Sequence, residues 1–479
     1  MSNSLEQMDL QSQSAPKIAR SRHWLRNVLG LDRAVGFTVL ARFWASSAGL
    51  VTVALIARFL SPSEQGYYYT FGSLVAMQMV FELGFSYVIL QMASHERARL
   101  SISDNYDITG DPVAHARLAS VIQKSVRWYS VAAAFLALTL LPAGFYFFHT
   151  HQYGQAVLWL GPWCLDALMA VLNFQLDPLL SFMEGCGYVA NVARLRFAQS
   201  VTGSVLAWMA LISRHGLYAP SMMLFGMASC SLVWIFTKRR LLLGLLRHSP
   251  GINRIRWKAE VWPFQWRIAV SWFCGYFSFW LFNPVLFAYR GPVEAGQMGM
   301  SLSLANAIMN IAISWVSTKS APFGTLIARK EYRELDHTFF RALWQSAAVS
   351  LAGGFTAWFG TVYLNAQNIR FAHRLLEPSS IAMLMMFMVM NVVVFAESFY
   401  LRAHKQEVFL MNSVVGAISV TVFTFIFGRY YGARGIVVSS CIGNVLMLIW
   451  ASYKFRKYRR LWHDPVSITG GVSVARIDC

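Results

Sequence analysis

The sequence predicts an all-α polytopic membrane protein of about twelve transmembrane helices in two pseudo-symmetric six-helix lobes, with no soluble domain. Three observations carry that reading. Of 479 residues, 56% are hydrophobic and only 13% charged, about half the charged share of a soluble protein. Apolar runs of spanning length recur along the whole chain. One turn is also written twice: Pro62-Ser-Glu64-Gln-Gly66 and Pro292-Val-Glu294-Ala-Gly296 lie 230 positions apart, each between two long apolar runs. Two similar halves in a membrane imply transport, with the site where the halves meet.

A spanning helix needs about 20 apolar residues. In the first half such runs occupy 35–60, 67–92, 128–148, 155–177, 196–213 and 217–237. In the second half they occupy 267–289, 296–318, 340–364, 379–401, 406–427 and 435–453. The runs 196–213 and 217–237 are short and split by Ser213-Arg-His-Gly216, where Gly216 and Pro220 predict a break. The expected organisation is a basic tail (1–34), a first lobe (35–237), a basic linker (238–266), a second lobe (267–453) and a basic tail (454–479). The first 34 residues lack an apolar core and a small-residue cleavage site, so they do not read as a signal peptide.

Orientation follows from the basic residues. The two tails and the even-numbered connectors hold 33 of the 41 Lys and Arg, whereas the odd-numbered connectors hold seven and Arg42 lies inside the first helix. That bias predicts both termini and all even connectors in the cytoplasm of a bacterial inner membrane protein. The pI near 9.9 is accounted for by this topogenic charge, so nucleic acid is not an expected partner. The six cysteines are scattered singly, without CxxC or Cys/His spacing, and the eleven histidines form no HxxxH or HExxH pair. Metal ligation is therefore not expected. No G-x-x-x-x-G-K-[ST] sequence occurs, so no nucleotide cofactor is expected and energy must come from a gradient, a potential or product removal. The outer loops are too short to hold an active site, which argues against an enzyme.

Ala57-Arg-Phe-Leu-Ser-Pro-Ser-Glu-Gln-Gly-Tyr67 followed by Phe81-Glu-Leu-Gly-Phe-Ser86 resembles the first hairpin of bacterial polysaccharide exporters. These include the O-antigen and other lipid-linked oligosaccharide flippases of the multidrug/oligosaccharidyl-lipid/polysaccharide superfamily. The connectors Phe182-Met-Glu-Gly-Cys-Gly-Tyr188 and Tyr400-Leu-Arg-Ala-His-Lys405 are similar as well, and the resemblance covers about 35–455. It implies a two-lobed transporter working by alternating access. The implied substrate is a sugar chain on a polyprenyl diphosphate, and the implied partners are membrane lipids and other polysaccharide assembly proteins.

Intramembrane polar residues mark the candidate site, because a charge left in hydrocarbon normally faces a cavity or a partner. Thr38, Arg42 and Ser46 share one face of the first helix, and Arg267, Ser271, Gly275 and Ser278 share one face of the seventh. Arg-x-x-x-Ser thus occurs in the first helix of each half. Each arginine alone could simply snorkel to the interface. Together they suit a diphosphate, which accepts the paired hydrogen bonds of a guanidinium, with Lys319 as a third cation. Gln78, Glu82 and Ser86 form a polar stripe in the second helix, and Ser303, Asn306, Asn310, Ser314 and Ser317 a longer one in the eighth. Cavity lining and helix–helix adhesion both remain open for these rows. Glu82 and Asp166 are candidate ion-coupling carboxylates, with a structural ion pair as the alternative for Glu82. Asp177 and Glu397, nearer the helix ends, read as structural. Two other functions stay open: a cation-coupled multidrug antiporter, which calls for an acidic, apolar cavity, and a non-transporting scaffold for glycan assembly.

Overall fold

The computed structural model describes residues 33–103, 107–151, 157–251, 254–404 and 408–463. The expected tails therefore lie largely outside the described residues, although helix continues to His463, well into the expected second tail. The first lobe begins with α1 (Arg33–Phe59). A bent span follows, made of α2 (Pro62–Val75), α3 (Gln78–Glu82) and α4 (Phe85–Arg97). A small antiparallel ribbon, β1 (Leu100–Ile102) with β2 (Ile108–Gly110), leads into α5 (Pro112–Thr150). Then come α6 (Leu160–Gly185), α7 (Val189–Ile212) and α8 (Ala219–Thr237). The link between lobes carries α9 (Arg239–Arg247) and a π-helical turn at Trp257–Val261.

The second lobe repeats the plan. Its first span is α10 (Trp262–Phe279) with α11 (Phe282–Arg290), and its second is α12 (Pro292–Ser317) with α13 (Ser320–Ala328). It ends with α14 (Tyr332–Ala366), α15 (Pro378–Ala403) and α16 (Leu410–His463). Among the described residues ten helices are long and apolar enough to cross a membrane, and the bent span Pro62–Arg97 adds an eleventh. With 54 residues, α16 would extend roughly 80 Å, far beyond a hydrocarbon core of about 30 Å. It folds back at Gly432, where φ is 64° and ψ −150°. Accordingly Gly416 lies beside Met447, and Gly443 beside Phe423. That hairpin brings the crossings to twelve.

Two expected helix starts that bear on the site move. The fifth span starts at Val189 rather than 196, so Arg196 sits two turns inside the helix. The third starts at Pro112 rather than 128, because its polar first half is held by ion pairs instead of lipid. The break near 213–217 is present, as a single 3-10 turn at Gly216–Tyr218.

The repeated turns explain how the lobes meet. In the first copy Ser61 caps α2: its Oγ accepts from the Glu64 N–H (3.2 Å), and its own N–H donates to Glu64 Oε2 (2.8 Å), with Pro62 in the first turn. The glycine that ends each motif faces the other copy. A Cβ on Gly66 would overlap the Pro292 backbone, and one on Gly296 would stand 2.9 Å from the Gly66 nitrogen. Glycine is required here by close approach, not by backbone angle. Gln65 donates to the Gly296 carbonyl (2.8 Å) and the Arg374 carbonyl (3.0 Å), and Arg374 donates back to Leu60 O (2.6 Å). Beneath this turn face, Tyr67 and Phe148 each meet Phe287 edge to face across the lobe boundary, and the three ring centroids are 4.8–5.4 Å apart. The lobes are thus sealed at this end.

Candidate functional site: a polar cavity in the first lobe

Helices α3, α5, α6, α7 and α8 enclose a cavity of about 340 Å³. Gln78 and Glu82 enter it from α3, a five-residue segment that ends in two left-handed residues, Leu83 (φ 53°) and Gly84 (φ 65°). A built Cβ at Gly84 would collide with Ile268 and Trp272 of α10, so this bend is also where the first lobe touches the second. Asn173, Phe174 and Asp177 enter from α6. Pro178, next to Asp177, has no N–H to give, which frees the Phe174 carbonyl beside the cavity. Arg196, Gln199 and Ser200 come from α7, Ser231 and two methionines from α8, and Tyr129 from α5.

The neutral polar groups hold the walls together. Gln199 donates to Ser231 Oγ (2.6 Å), Asn173 to the Leu224 carbonyl (2.9 Å), and Ser86 and Tyr129 share a hydrogen bond of 3.0 Å. The charged groups remain: two carboxylates, Glu82 and Asp177, within electrostatic reach of each other and of Arg196. Arg196 also contacts Glu184 at 3.4 Å. Glu82 and Asp177 thus share their one guanidinium with Glu184, so the ionised carboxylates outnumber the cation in a low-dielectric wall. The arrangement can therefore take up positive charge, as a proton or a monovalent cation.

The residues singled out from sequence fall into three places. Gln78 and Glu82 line the cavity, and Ser86 bonds one of its walls. Arg42 is exposed on α1 and donates to Ser317 Oγ of α12 (2.8 Å), joining the two lobes at the end opposite the turn face. Lys319 is exposed at the break between α12 and α13, and Asn310 is exposed on α12. Ser46 on α1, Ser271 on α10 and Asn306 on α12 are half-buried. The side chain of Arg267 lies outside the described residues. Arg42 stands 20 positions before Pro62 and Arg267 stands 25 before Pro292, so in the register of the turns Arg42 corresponds to Trp272. Asp166 does not line the cavity. It is 1% exposed, and neither carboxylate oxygen has a hydrogen-bond partner among the described residues. Also among the described residues, no three His, Cys, Asp or Glu side chains converge as metal ligands.

Asp177, Arg196 and Gln199 were not legible as a site. The expected start of the fifth span at 196 placed Arg196 at a helix edge, and Asp177-Pro178 read as a helix end. The available signal was Arg196-x-x-Gln199-Ser200, continued by Gly203 and Ser204, which lies on one helix face.

No protein-family model matches this sequence, and no curated protein matches it. Its fold does match solved structures. An inward-facing multidrug resistance MATE family transporter of the MOP superfamily superposes with a TM-score of 0.63 at 14% identity, over 89% of this chain and 98% of that one. A MOP superfamily transporter from Pyrococcus furiosus, described as having a binding pocket of reverse polarity, gives 0.54 at 15% identity over 90% and 96%. The lipid II flippase MurJ in an inward closed conformation gives 0.52 at 12% identity, over 89% of each chain. The two-lobed architecture of these transporters is the architecture of this chain.

Proposed function

We propose that this protein is a flippase that moves a polyprenyl-diphosphate-linked oligosaccharide from the cytoplasmic to the outer leaflet of a bacterial inner membrane, by alternating access. Both termini and the basic linker 238–266 are cytoplasmic in this reading, and the lobes are 35–237 and 267–453. The observation that carries it is the pair of exposed cations where α1 of the first lobe meets α12 of the second. Arg42 is exposed there and bonded across to Ser317, with Lys319 two residues further on. A diphosphate needs this: a planar guanidinium, a second cation, and neighbouring hydroxyl and amide donors. Ser46, Ser271, Asn306 and Asn310 are those donors, and Arg267 is the arginine contributed by the second lobe. The first-lobe cavity is the coupling site, where Glu82 and Asp177 bind and release positive charge as access changes. Asp166, buried with no hydrogen-bond partner among the described residues, is a further carrier of a proton.

One observation favours a second reading. The cavity has more carboxylates than cations, which suits a cation-coupled antiporter exporting an amphipathic cation. Reconstitution separates the two. In proteoliposomes bearing a fluorescent polyprenyl-diphosphate oligosaccharide, Arg42→Ala should slow flipping at least tenfold, and Arg42→Lys should restore little because it lacks the planar fork. If Arg42→Ala and Arg267→Ala both flip at the wild-type rate, with normal protein abundance, the diphosphate site is wrong. Extrusion of ethidium that is lost in Asp177→Asn but indifferent to Arg42 would establish the antiporter instead.

A further inference from the structure

The segment between the lobes holds a short basic element, α9, directly after the last span of the first lobe. α9 starts two residues after α8 ends, so it lies at the edge of the bilayer where lipid phosphates are. Its sequence, Arg239-Arg-Leu-Leu-Leu-Gly-Leu-Leu-Arg247, is amphipathic in an uncommon way. Leu241, Leu242 and Leu245 are buried against the protein. On the opposite face Arg239, Leu243 and Arg247 fall four residues apart in one row, with Arg240 beside it. All three arginines are exposed, and Leu243 is 45% exposed. Among the described residues none of the three pairs with a carboxylate. A row of guanidinium groups around one exposed leucine matches a diacyl lipid with an anionic headgroup: phosphate for the arginines, the glycerol–acyl boundary for the leucine.

The buried side of the same element is fastened to α5. The side-chain amide of Gln123 is within hydrogen-bond distance of the carbonyls of Leu245 (3.0 Å), Leu246 (3.1 Å) and His248 (2.7 Å), which close the helix C-terminus. Further along, the Ile255 N–H donates to Ser120 Oγ (3.3 Å) and Lys124 donates to the Ile255 carbonyl. Glu260 then meets Arg117 (2.5 Å), directly before α10 begins. Whatever holds α9 against the membrane therefore holds the strap that leads into the second lobe.

We propose that α9 is an anionic-phospholipid site that clamps the interlobe linker to the first lobe. The occupant is an anionic phospholipid of the surrounding bilayer, because the row faces away from the protein at headgroup level and no carboxylate among the described residues offsets its charge, Arg239 being stacked only on the Phe236 ring (4.0 Å). One arginine near an anionic surface contributes roughly fivefold in affinity, so three give about a hundredfold. The claim rests only on the protein being membrane-embedded and is independent of what it transports. The test compares wild type with the triple variant Arg239→Gln, Arg240→Gln, Arg247→Gln in nanodiscs of phosphatidylcholine alone and of phosphatidylcholine with phosphatidylglycerol. Wild type should retain phosphatidylglycerol in native mass spectrometry, and its melting temperature should rise with phosphatidylglycerol content. Amide exchange across 239–261 should slow in step. The triple variant should match wild type in phosphatidylcholine alone, retain at least tenfold less phosphatidylglycerol and show no rise, whereas the corresponding triple Lys variant should keep most of both. A triple Gln variant that responds to phosphatidylglycerol as wild type does, or a wild type that does not respond, overturns the proposal.

Discussion

Glu64 and Glu294 occupy the same place in two copies of one turn and do different work. Glu64 turns back to the N–H of Ser61 and closes its own helix. The second copy has Gly291 in place of that serine, and Glu294 instead accepts from the N–H of Ala433 (2.5 Å), pinning the hairpin at Gly432. Gln65 reaches across the lobe boundary, while its counterpart Ala295 is 0% exposed and only packs. The interiors diverge in the same direction. The first lobe keeps a polar cavity with two carboxylates and an arginine. The second fills one end with Phe323, Phe339, Tyr400 and Phe455, and its buried Glu397 is held by Ser452 (2.8 Å). What both halves retain is the glycine contact at the axis. The glycine contact is common to both copies, whereas the polar cavity belongs to the first lobe and the aromatic cluster to the second.

The joint gives the largest expected effect. Gly66→Ala puts a methyl group into the Pro292 backbone, and the neighbours that must give way are main chain, so the cost should be about 1–3 kcal/mol or more. Gly72, two turns on in the same helix, has open space within 4 Å, and Gly72→Ala should instead stabilise by up to about 1 kcal/mol. Melting temperatures of the purified variants read the difference. Spin labels at the exposed Ser61 and Val293 should also report a longer distance for Gly66→Ala alone. Equal melting temperatures would mean that the turn face is not a tight joint.

The second comparison sets the carboxylates of the two lobes against each other. Glu82→Gln should leave melting within about 0.5 kcal/mol, since the cavity it faces has room for water and other polar side chains in its wall, yet flatten the pH dependence of transport. Glu397→Gln should shift stability by roughly 1 kcal/mol through its buried hydrogen bond while leaving the pH profile alone. The reverse pattern would transfer coupling to the second lobe.

The contrast also marks how far sequence could reach. Spans were legible because 20-residue apolar runs have few other uses, and the joint because Pro-x-Glu-x-Gly was written twice. Glu82 was found through its stripe with Gln78 and Ser86. The cavity as a whole was not, because it arises where the backs of five helices fail to meet, and no single helix period records that. Its arginine was hidden by a boundary seven residues late. α9 was counted as topogenic charge: its leucines are too few to span, and only the docking of three of them on α5 makes the arginines a face.

The smallest expected effect lies within one network, at the end opposite the joint. Arg117 bonds both Glu96 (2.7 Å) and Glu260 (2.5 Å), whose side chains are 6% and 33% exposed. Breaking the buried arm leaves more charge uncompensated than breaking the exposed one, so Glu96→Gln should lower melting more than Glu260→Gln, which should cost less than about 1 kcal/mol after solvent screening. The Arg117 guanidinium holds the Glu260 carboxyl below the usual carboxylate range. A carboxylate depressed on folding stabilises above its unfolded pKa of about 4.3 and loses that contribution as pH falls through its lower folded value. The gap between wild type and Glu260→Gln should therefore be constant at neutral pH and close on acidification below about pH 4.3. Amide exchange in the strap 254–261 should follow the same curve. A gap that persists unchanged to pH 3 would assign Glu260's role to its hydrogen bond with the Arg256 N–H (2.8 Å), and not to its charge.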